Sequence, residues 1–359
     1  MKKKRIASII GYAVTTLVLL GIAIWFFATA PTNDPAVWYT DWSDGYAWQS
    51  RTVPYNVGGI YSVNEDSLKS LIIEWAAGEV IVETYDGNEV VITEYAQREL
   101  TSGERLRQEL SEGTLTIEYS LDRNWRNPQR KRLEVQLPRE ISENLDIFSV
   151  VTSSSHINIS GLNAVTFEID TASGIVQLSD IAAENLSTKT ASGSIAINSI
   201  SASSIALSST SGTIEVSETG AKMLNCNTSS GTVNLSGTFV EVDIDSVSGR
   251  ITLDNTIERS HAKVVTTSGT ITLSGSFDSA DIRSTSGEVS IKSLSVPSAL
   301  KANTASGSIT ITVPGDETIT VRHSSASGRL SSDVPIIMQN SGAQFEFTST
   351  SGNVRVLAL

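Results

Sequence analysis

Apolar and polar side chains alternate along short stretches throughout the second half of this chain. Ile195 and Ile197, then Ile214 and Val216, are two of many apolar pairs that lie two positions apart. A period of two is typical of β-strands that bury one face and expose the other. The repeating stretches show no convincing helical period, so the pattern predicts a chain built from strands.

A Ser-Gly pair recurs ten times among these strands, at spacings of 18 to 24 residues. We interpret its glycines as the structural corners of a repeat: Gly174, Gly193, Gly212, Gly231, Gly249, Gly269, Gly287, Gly307, Gly328 and Gly352. A period near 19 residues is too short for a strand–helix–strand unit, which needs roughly 30 residues. Stacked coils are the simplest alternative. We therefore predict an all-β fold, a parallel single-stranded β-solenoid (β-helix) with coils of about 19 residues.

Each coil is expected to contain a strand, the Ser-Gly corner, a second strand and a looser return. Glycine suits a corner that needs a positive φ or a close approach of two backbones. A serine or threonine lies three positions before every corner glycine, and we expect these hydroxyls to face inward as a ladder that supports the corner. The single cysteine, Cys226, also falls at an inward position and is interpreted as a small core residue.

Charged residues six positions before the glycine support this register. They are Asp243, Lys263, Asp281 and Lys301, in four successive copies of the repeat. Opposite charges on neighbouring strands are favourable by about 0.2–1 kcal/mol per pair, whereas like charges are unfavourable. We predict that these four side chains form one column, the charge column, on an outer face of the stack.

The repeat becomes irregular towards the N-terminus. Ser155 occupies the glycine position of a degenerate copy, and Gly113 and Gly78 are predicted to occupy it in two earlier copies that carry insertions. Terminal units of a solenoid are expected to be atypical because they cap the core. We therefore assign residues 67–150 to irregular N-terminal coils or a cap, and residues 151–359 to the regular solenoid.

The first thirty residues have the composition of a membrane anchor. Residues 2–5 are all basic, and residues 6–30 contain no charged side chain, which exceeds the roughly 20 residues that a transmembrane helix needs. The basic cluster places the N-terminus in the cytoplasm. A cleaved signal peptide is the alternative, since the Ala-Thr-Ala sequence ending at Ala30 resembles a cleavage site. The long apolar stretch and Pro31 favour an uncleaved anchor.

We therefore predict that the chain is a single-pass protein of the cell membrane. Residues 1–30 are assigned to a cytoplasmic basic tip and transmembrane helix, and residues 31–66 to an aromatic juxtamembrane linker. The bulk of the chain then lies outside the cytoplasm. The whole chain has a formal net charge of −13, and four of its 26 basic residues lie in the tip, so the external part is still more acidic. An acidic surface excludes nucleic acid as a partner, because nucleic acid requires a basic surface.

Residues with catalytic or metal-binding chemistry are sparse. His156, His261 and His323 lie in different coils without metal-ligand spacing, and no nucleophile elbow or phosphate loop is present. The alternating acids Glu241, Asp243 and Asp245 could hold Ca²⁺. The other interpretation is a solvated strand face that Lys263 of the next coil neutralises. We therefore assign no catalytic, cofactor or metal residue and expect no enzyme.

The strand repeats resemble a known bacterial family. The stretch from Leu71 to Val82 and the coils of the form Thr-x-Ser-Gly-x-Ile-x-Leu are similar to membrane-anchored envelope proteins known as putative adhesins with β-strand repeats, a domain of unknown function. The resemblance covers about residues 67–359. It implies a β-solenoid outside the membrane, sometimes associated with envelope-stress systems, and it supplies no catalytic residues.

These patterns lead to three hypotheses about function. The first is a non-catalytic binding, adhesion or scaffolding surface at the bacterial cell envelope, with an envelope glycan or protein as partner. The alternative is an accessory sensor or regulator of envelope stress that acts through the anchor. A glycan-active β-helix enzyme is the third, and it would need clustered acids that the short coils do not show.

A further partner site is expected at the end of the stack. The last copy ends in the strand Val354–Leu357 with almost no chain left to cover it. An uncovered end strand is a template for pairing with another chain. The sequence therefore predicts strand pairing at the C-terminal edge, unless the insertion from Pro335 to Gln344 folds over it.

Overall fold

The structure is a computed structural model that describes residues 55–64, 68–120, 130–342 and 344–359. The described residues form one sheet of 16 strands and one helix of four residues, which confirms the all-β class. The predicted transmembrane helix and most of the juxtamembrane linker lie outside the described residues. Within the described ranges, the structure contains no helix that is long and apolar enough to cross a bilayer.

The elements follow one another along the chain in a fixed order. They are β1 (Asn56–Val63), β2 (Ser70–Tyr85), β3 (Val90–Ala96), β4 (Arg107–Ser111), β5 (Thr114–Glu118), β6 (Lys131–Pro138), α1 (Arg139–Ser142), β7 (Leu145–Ser160), β8 (Asn163–Ser286), β9 (Val289–Ser293), β10 (Ala299–Ser306), β11 (Ile309–Val313), β12 (Ile319–Ser325), β13 (Leu330–Ser332), β14 (Ile336–Met338), β15 (Phe345–Ser351) and β16 (Val354–Ala358).

The regular part of the molecule is a stack of coils that pair in parallel. β8 is a continuous extended segment of 124 residues that winds through six of the corner glycines. Thr152 in β7 pairs with Thr171 in β8, and Ile282 in β8 pairs with Ala302 in β10, each one coil further along the chain. Strands therefore stack on their own counterparts in the next coil, as the predicted solenoid requires.

Each coil contributes apolar side chains to one continuous core. In the coil around Gly174 these are Phe167 and Ile169 before the corner and Val176 and Leu178 after it, all buried. The alternation of apolar and polar residues thus places two side chains from each of two strands inside the stack. Outward positions carry the polar and charged residues that any partner would meet.

The corner glycines lie directly on top of one another. A Cβ atom built on Gly231 would lie 1.9 Å from the carbonyl oxygen of Gly212, and φ at Gly231 is +140°. Neither the space nor the backbone conformation accommodates a side chain. The same close approach recurs from Gly174 to Gly352, so the column of corners fixes the register of the stack.

A second corner lies six residues after the first. There the backbone adopts left-handed conformations at Gly161, Asp180, Ser199, Glu218 and Gly275. The sequence predicts only a looser return at these positions, because the residues share a conformation and no side-chain type. The coils that contain these five residues therefore have a second defined corner, which separates their two outer faces.

At the N-terminal end the chain order and the stacking order differ. β2 pairs on one side with β7, where Gly78 lies opposite Ser155. On its other side β2 pairs with β5 and β6, which together complete one coil. The prediction that Gly113 occupies a corner is wrong, because Leu115 aligns with Leu71 of the first strand. The corner position of that coil is taken by Lys131, opposite Gly78.

The N-terminal cap also contains a buried ion pair. Lys131 Nζ donates to Glu94 Oε1 at 2.8 Å, with both side chains almost completely buried. Glu94 Oε2 accepts from the backbone N–H of Leu106 at 3.0 Å, and Lys131 Nζ lies 4.3 Å from the centre of the Tyr119 ring. Because both charges are partnered, the pair is stable inside the cap, but removing one partner would leave a buried charge.

The C-terminal end contains a coil that is out of chain order. β15 pairs with β10 on one side and with β12 on the other. β16 likewise lies between β11 and β13. The prediction of an uncovered strand at Val354–Leu357 is therefore wrong: this strand is paired on both sides. The outer edges at this end belong to β13 and to β14, which covers β12.

Candidate functional site

The inward hydroxyls before the corners are part of the core. All except Ser325 are buried among the described copies. Thr152 Oγ1 donates to Thr171 Oγ1 at 2.8 Å, and Thr171 Oγ1 donates to the carbonyl of Ser173 at 3.0 Å. Three later hydroxyls donate in the same way to the backbone carbonyl two residues further along the chain. The pairs are Thr228 with Ser230, Ser246 with Ser248, and Thr266 with Ser268. The hydroxyls that make these bonds support the corner. The hydroxyls of Thr190, Ser209, Ser284 and Thr304 are buried without a hydrogen-bond partner among the described residues.

The charge column lies on the outer face of the strands that precede the corner, here called the first-strand face. Lys263 Nζ lies 2.8 Å from Asp243 Oδ2, and this hydrogen bond raises the pKa of Lys263. Lys301 pairs in register with Asp281 of the preceding coil. Asp281 itself is 2.8 Å from Arg283 on its own strand.

The coil of β15 and β16, which is out of chain order, extends the charge column beyond the four predicted members. Glu346 pairs in register with Lys301 on one side and with Arg322 on the other, and its carboxylate lies 3.6 Å from Lys301 Nζ. In chain order Arg322 would follow Lys301, and two like charges would be neighbours. The spatial order restores the alternation of positive and negative charges. The positive charge of Arg322 is therefore the feature of the sequence that indicates the unusual coil order.

A groove of about 450 Å³ follows the charge column on the first-strand face. Besides the column it is lined by Met223, Asn225, Glu241 and His261, and His261 Nδ1 lies 2.8 Å from Ser279 Oγ. Asp243, the central acid of the row that is weighed as a Ca²⁺ site and assigned to no metal, contacts Lys263. Across the described ranges, acids, histidines and Cys226 form no group of three that could hold a metal ion.

The strands that follow the corner present a different outer face, here called the second-strand face. Its outward residues three and five positions after the corner are mainly amides and hydroxyls. In the nine coils from Ser155 to Gly307 they are Asn158, Ser160, Gln177, Ser179, Ala196, Asn198, Glu215, Ser217, Asn234, Ser236, Thr252, Asp254, Thr272, Ser274, Ser290, Lys292, Thr310 and Thr312. Rows made mainly of uncharged polar groups therefore run along the stack.

A groove of about 330 Å³ lies on this second-strand face. We call its polar lining the amide–hydroxyl surface: Asn158, Gln177, Ser179, Asn198, Glu215 and Ser217. Ser217 Oγ donates to Asn198 Oδ1 at 2.9 Å, and His156 Nε2 lies 2.9 Å from Gln177 Oε1. Amides and hydroxyls both donate and accept hydrogen bonds, so this surface suits a partner rich in uncharged hydroxyl and amide groups.

Cys226 and His323 both occupy inward positions of the stack. Burial raises the pKa of the Cys226 thiol to about 12, which leaves it protonated and unreactive at neutral pH. His323 occupies an inward position opposite Phe347. Its Nε2 atom is buried and has no hydrogen-bond partner among the described residues. His156, His261 and His323 are thus separated in the structure as well as in the sequence.

Comparison with known proteins gives one family match. The model of the Toastrack DUF4097 family matches residues 68–256 and 221–356. No protein of curated function matches the chain.

Several solved structures are similar to the chain at low identity. A putative adhesin from Parabacteroides distasonis is 14% identical, with 83% of this chain and 96% of that chain covered and a TM-score of 0.38. A putative lipid binding protein from the same species is 14% identical, with coverage of 83% and 96% and a TM-score of 0.35. A putative adhesin from Parabacteroides merdae is 13% identical, with coverage of 82% and 95% and a TM-score of 0.34.

Proposed function

The chain belongs to the Toastrack DUF4097 family, and from this premise we propose that it is a non-catalytic binding surface at the bacterial cell envelope. In this proposal residues 1–30 anchor the chain in the cell membrane with the N-terminus in the cytoplasm. The solenoid stands outside the membrane, and its amide–hydroxyl surface binds an uncharged envelope glycan. Adhesion or scaffolding is the consequence of that binding.

The observation that carries the proposal is the regularity of the second-strand face. Ser179, Asn198 and Ser217 occupy the same position, five residues after the corner, in successive coils, and parallel strands stack about 4.8 Å apart. A polymer of sugars lying along the stack would therefore meet an amide or hydroxyl at each coil. Because these side chains lie on paired strands, they lose little conformational freedom when a partner binds, which favours affinity.

The charge distribution supports an uncharged partner. The chain carries a formal net charge of −13, which disfavours anionic polymers. On the first-strand face Asp243 and Asp281 already contact basic side chains. On the amide–hydroxyl surface Glu215 is the single charged residue of the lining, so hydrogen bonding is the chemistry this surface offers.

Co-sedimentation with isolated bacterial cell-wall sacculi, from which anionic wall polymers have been removed, tests the proposal. We expect the parent chain to bind and the double variant Gln177→Ala/Asn198→Ala to bind about tenfold more weakly. Each lost hydrogen bond is worth about 0.5–1.5 kcal/mol, and 1.4 kcal/mol corresponds to a factor of ten.

The matched control removes two amides from the first-strand face. Asn225→Ala/Asn303→Ala changes side chains of the same type at half-buried outward positions, and it should bind as tightly as the parent. Equal binding of the Gln177→Ala/Asn198→Ala variant and the parent would contradict the proposed surface.

The aromatic composition of residues 31–66 favours a second candidate, an envelope-stress sensor acting through the anchor. Trp38, Tyr39 and Trp42 are side chains suited to a membrane–water interface. Replacing residues 1–30 with an unrelated single-pass anchor separates the two functions. A sensor would lose its stress signal with the new anchor, whereas a surface binder would keep its binding to sacculi.

A further inference from the structure

The coil formed by β15 and β16, residues 345–358, fills a slot between two coils that are consecutive along the chain. On one side lies the coil of β10 and β11, and on the other the coil of β12 and β13. Phe345 pairs with Leu300 and Val321, and Val354 pairs with Ile309 and Leu330. Without this coil, both neighbours would present unpaired strand edges, which are templates for another strand.

The slot is selective for a particular apolar pattern. Phe345, Phe347, Val354 and Val356 are buried in it, and the two phenylalanine rings meet edge to face with centres 6.1 Å apart. A Cβ atom on Gly352 would lie 2.0 Å from the carbonyl oxygen of Gly307. A strand that fills the slot must therefore combine inward aromatic and aliphatic residues with a glycine at the corner.

The slot is also selective for charge. Lys301 and Arg322 occupy equivalent positions on its two sides. Left without a strand between them, these like charges would face each other, which is unfavourable. Glu346 provides the acid that both sides require, and its carboxylate lies 3.6 Å from Lys301 Nζ. Residues 345–358 meet all three requirements.

We propose that this slot is an acceptor for residues 345–358 of a second copy of the chain, so that neighbouring copies are linked by exchange of this coil. The pairing and packing that hold the coil are the same whichever copy supplies it, which is the condition for low-cost exchange of an identical element. The preceding residues Gln339–Gly342 are exposed and make the connection to β14. Crowding of copies on one surface raises their effective concentration and favours exchange.

Crosslinking between two single-cysteine variants of the full chain tests this proposal. Thr310 and Arg355 are register partners in β11 and β16. Thr310→Cys in one copy and Arg355→Cys in a second copy come together only if the second copy supplies the coil. We expect a dimer when both are refolded together at high concentration and treated with a short bis-maleimide reagent. The native Cys226 is fully buried and does not compete.

The matched control uses two positions that do not exchange. Ser290 is the register partner of Thr310 on its other side, so Ser290→Cys mixed with Thr310→Cys should give no dimer. A chain carrying both Thr310→Cys and Arg355→Cys should crosslink within itself when it is refolded alone at high dilution, where exchange between copies is suppressed. Failure to do so would overturn the placement of the coil and the proposal with it. No dimer from the Thr310→Cys and Arg355→Cys pair, or equal dimer from the control pair, would overturn exchange through the slot.

Discussion

The column of corner glycines can be tested by replacing Gly231 with alanine. Gly231 has a φ of +140°, and a Cβ atom there would lie 1.9 Å from the carbonyl oxygen of Gly212. A side chain in such a sparsely populated conformation costs of order 1–3 kcal/mol. Forcing additional atoms into a tight interior costs about 1–3 kcal/mol more. We therefore expect Gly231→Ala to lower the free energy of unfolding by about 2–6 kcal/mol.

Thermal unfolding followed by circular dichroism measures this loss. In a large domain, 1 kcal/mol corresponds to about 2–4 °C in Tm, so the variant should melt at least about 4 °C below the parent. Gly103→Ala is the matched control, because a Cβ atom at Gly103 would have no heavy atom within 4 Å. The reasoning is refuted if Gly231→Ala melts at the same temperature as the parent and as Gly103→Ala.

Three further predictions concern charges and the second corner. Lys131→Met leaves the carboxylate of Glu94 buried without its partner, so chemical denaturation should show a loss of about 3–5 kcal/mol; an unchanged midpoint would argue against the buried pair. Glu218→Gly relieves a left-handed backbone with φ of +49° and should raise Tm, with a gain of up to about 1 kcal/mol; a lower Tm would contradict this. The hydrogen bonds from Arg98 lower the pKa of Glu104 to about 2. The stability that this pKa shift contributes is therefore present above the usual carboxyl pKa of about 4.3 and is lost as pH falls towards 2. A Glu104→Gln variant should lack this part of the acid dependence in a pH series of melting curves, and a variant that retains it would show the assignment to be wrong.

The regular coils were predictable from sequence because each residue type has one physical task there. Alternating apolar residues such as Ile195 and Ile197 define the inward positions, and the Ser-Gly pair defines the first corner. The second corner was not predictable in the same way. Asp180, Ser199 and Glu218 share a left-handed φ, yet nothing in their side chains distinguishes them from ordinary exposed residues.

The two ends of the stack were predicted least well, because repeats were placed in chain order. Gly113 was assigned to a corner from its apolar neighbours, whereas the structure gives that position to Lys131. At the other end, the like charges of Lys301 and Arg322 in successive copies indicated that another coil separates them. Glu346 is the acid that does so, and its sign was readable from the sequence.

The candidate surface was predictable only in its composition. The sequence shows many short polar residues at outward positions, but both outer faces of each coil have outward positions. The structure shows that charges gather on the first-strand face, as Asp243 and Lys263 do. The mainly uncharged rows with Gln177 and Asn198 lie on the second-strand face. This separation of charged from uncharged residues depends on where the first corner lies in each coil.

Photo-crosslinking on intact cells tests most directly whether the amide–hydroxyl surface contacts envelope glycan. A photoreactive amino acid replaces Gln177 in one full-length variant and Asn225, on the first-strand face, in another. After irradiation, mass spectrometry of the purified chains identifies what is attached at each position. The account predicts sugar adducts at position 177 and none at position 225. Equal adducts at both positions, or no sugar at position 177, would contradict it.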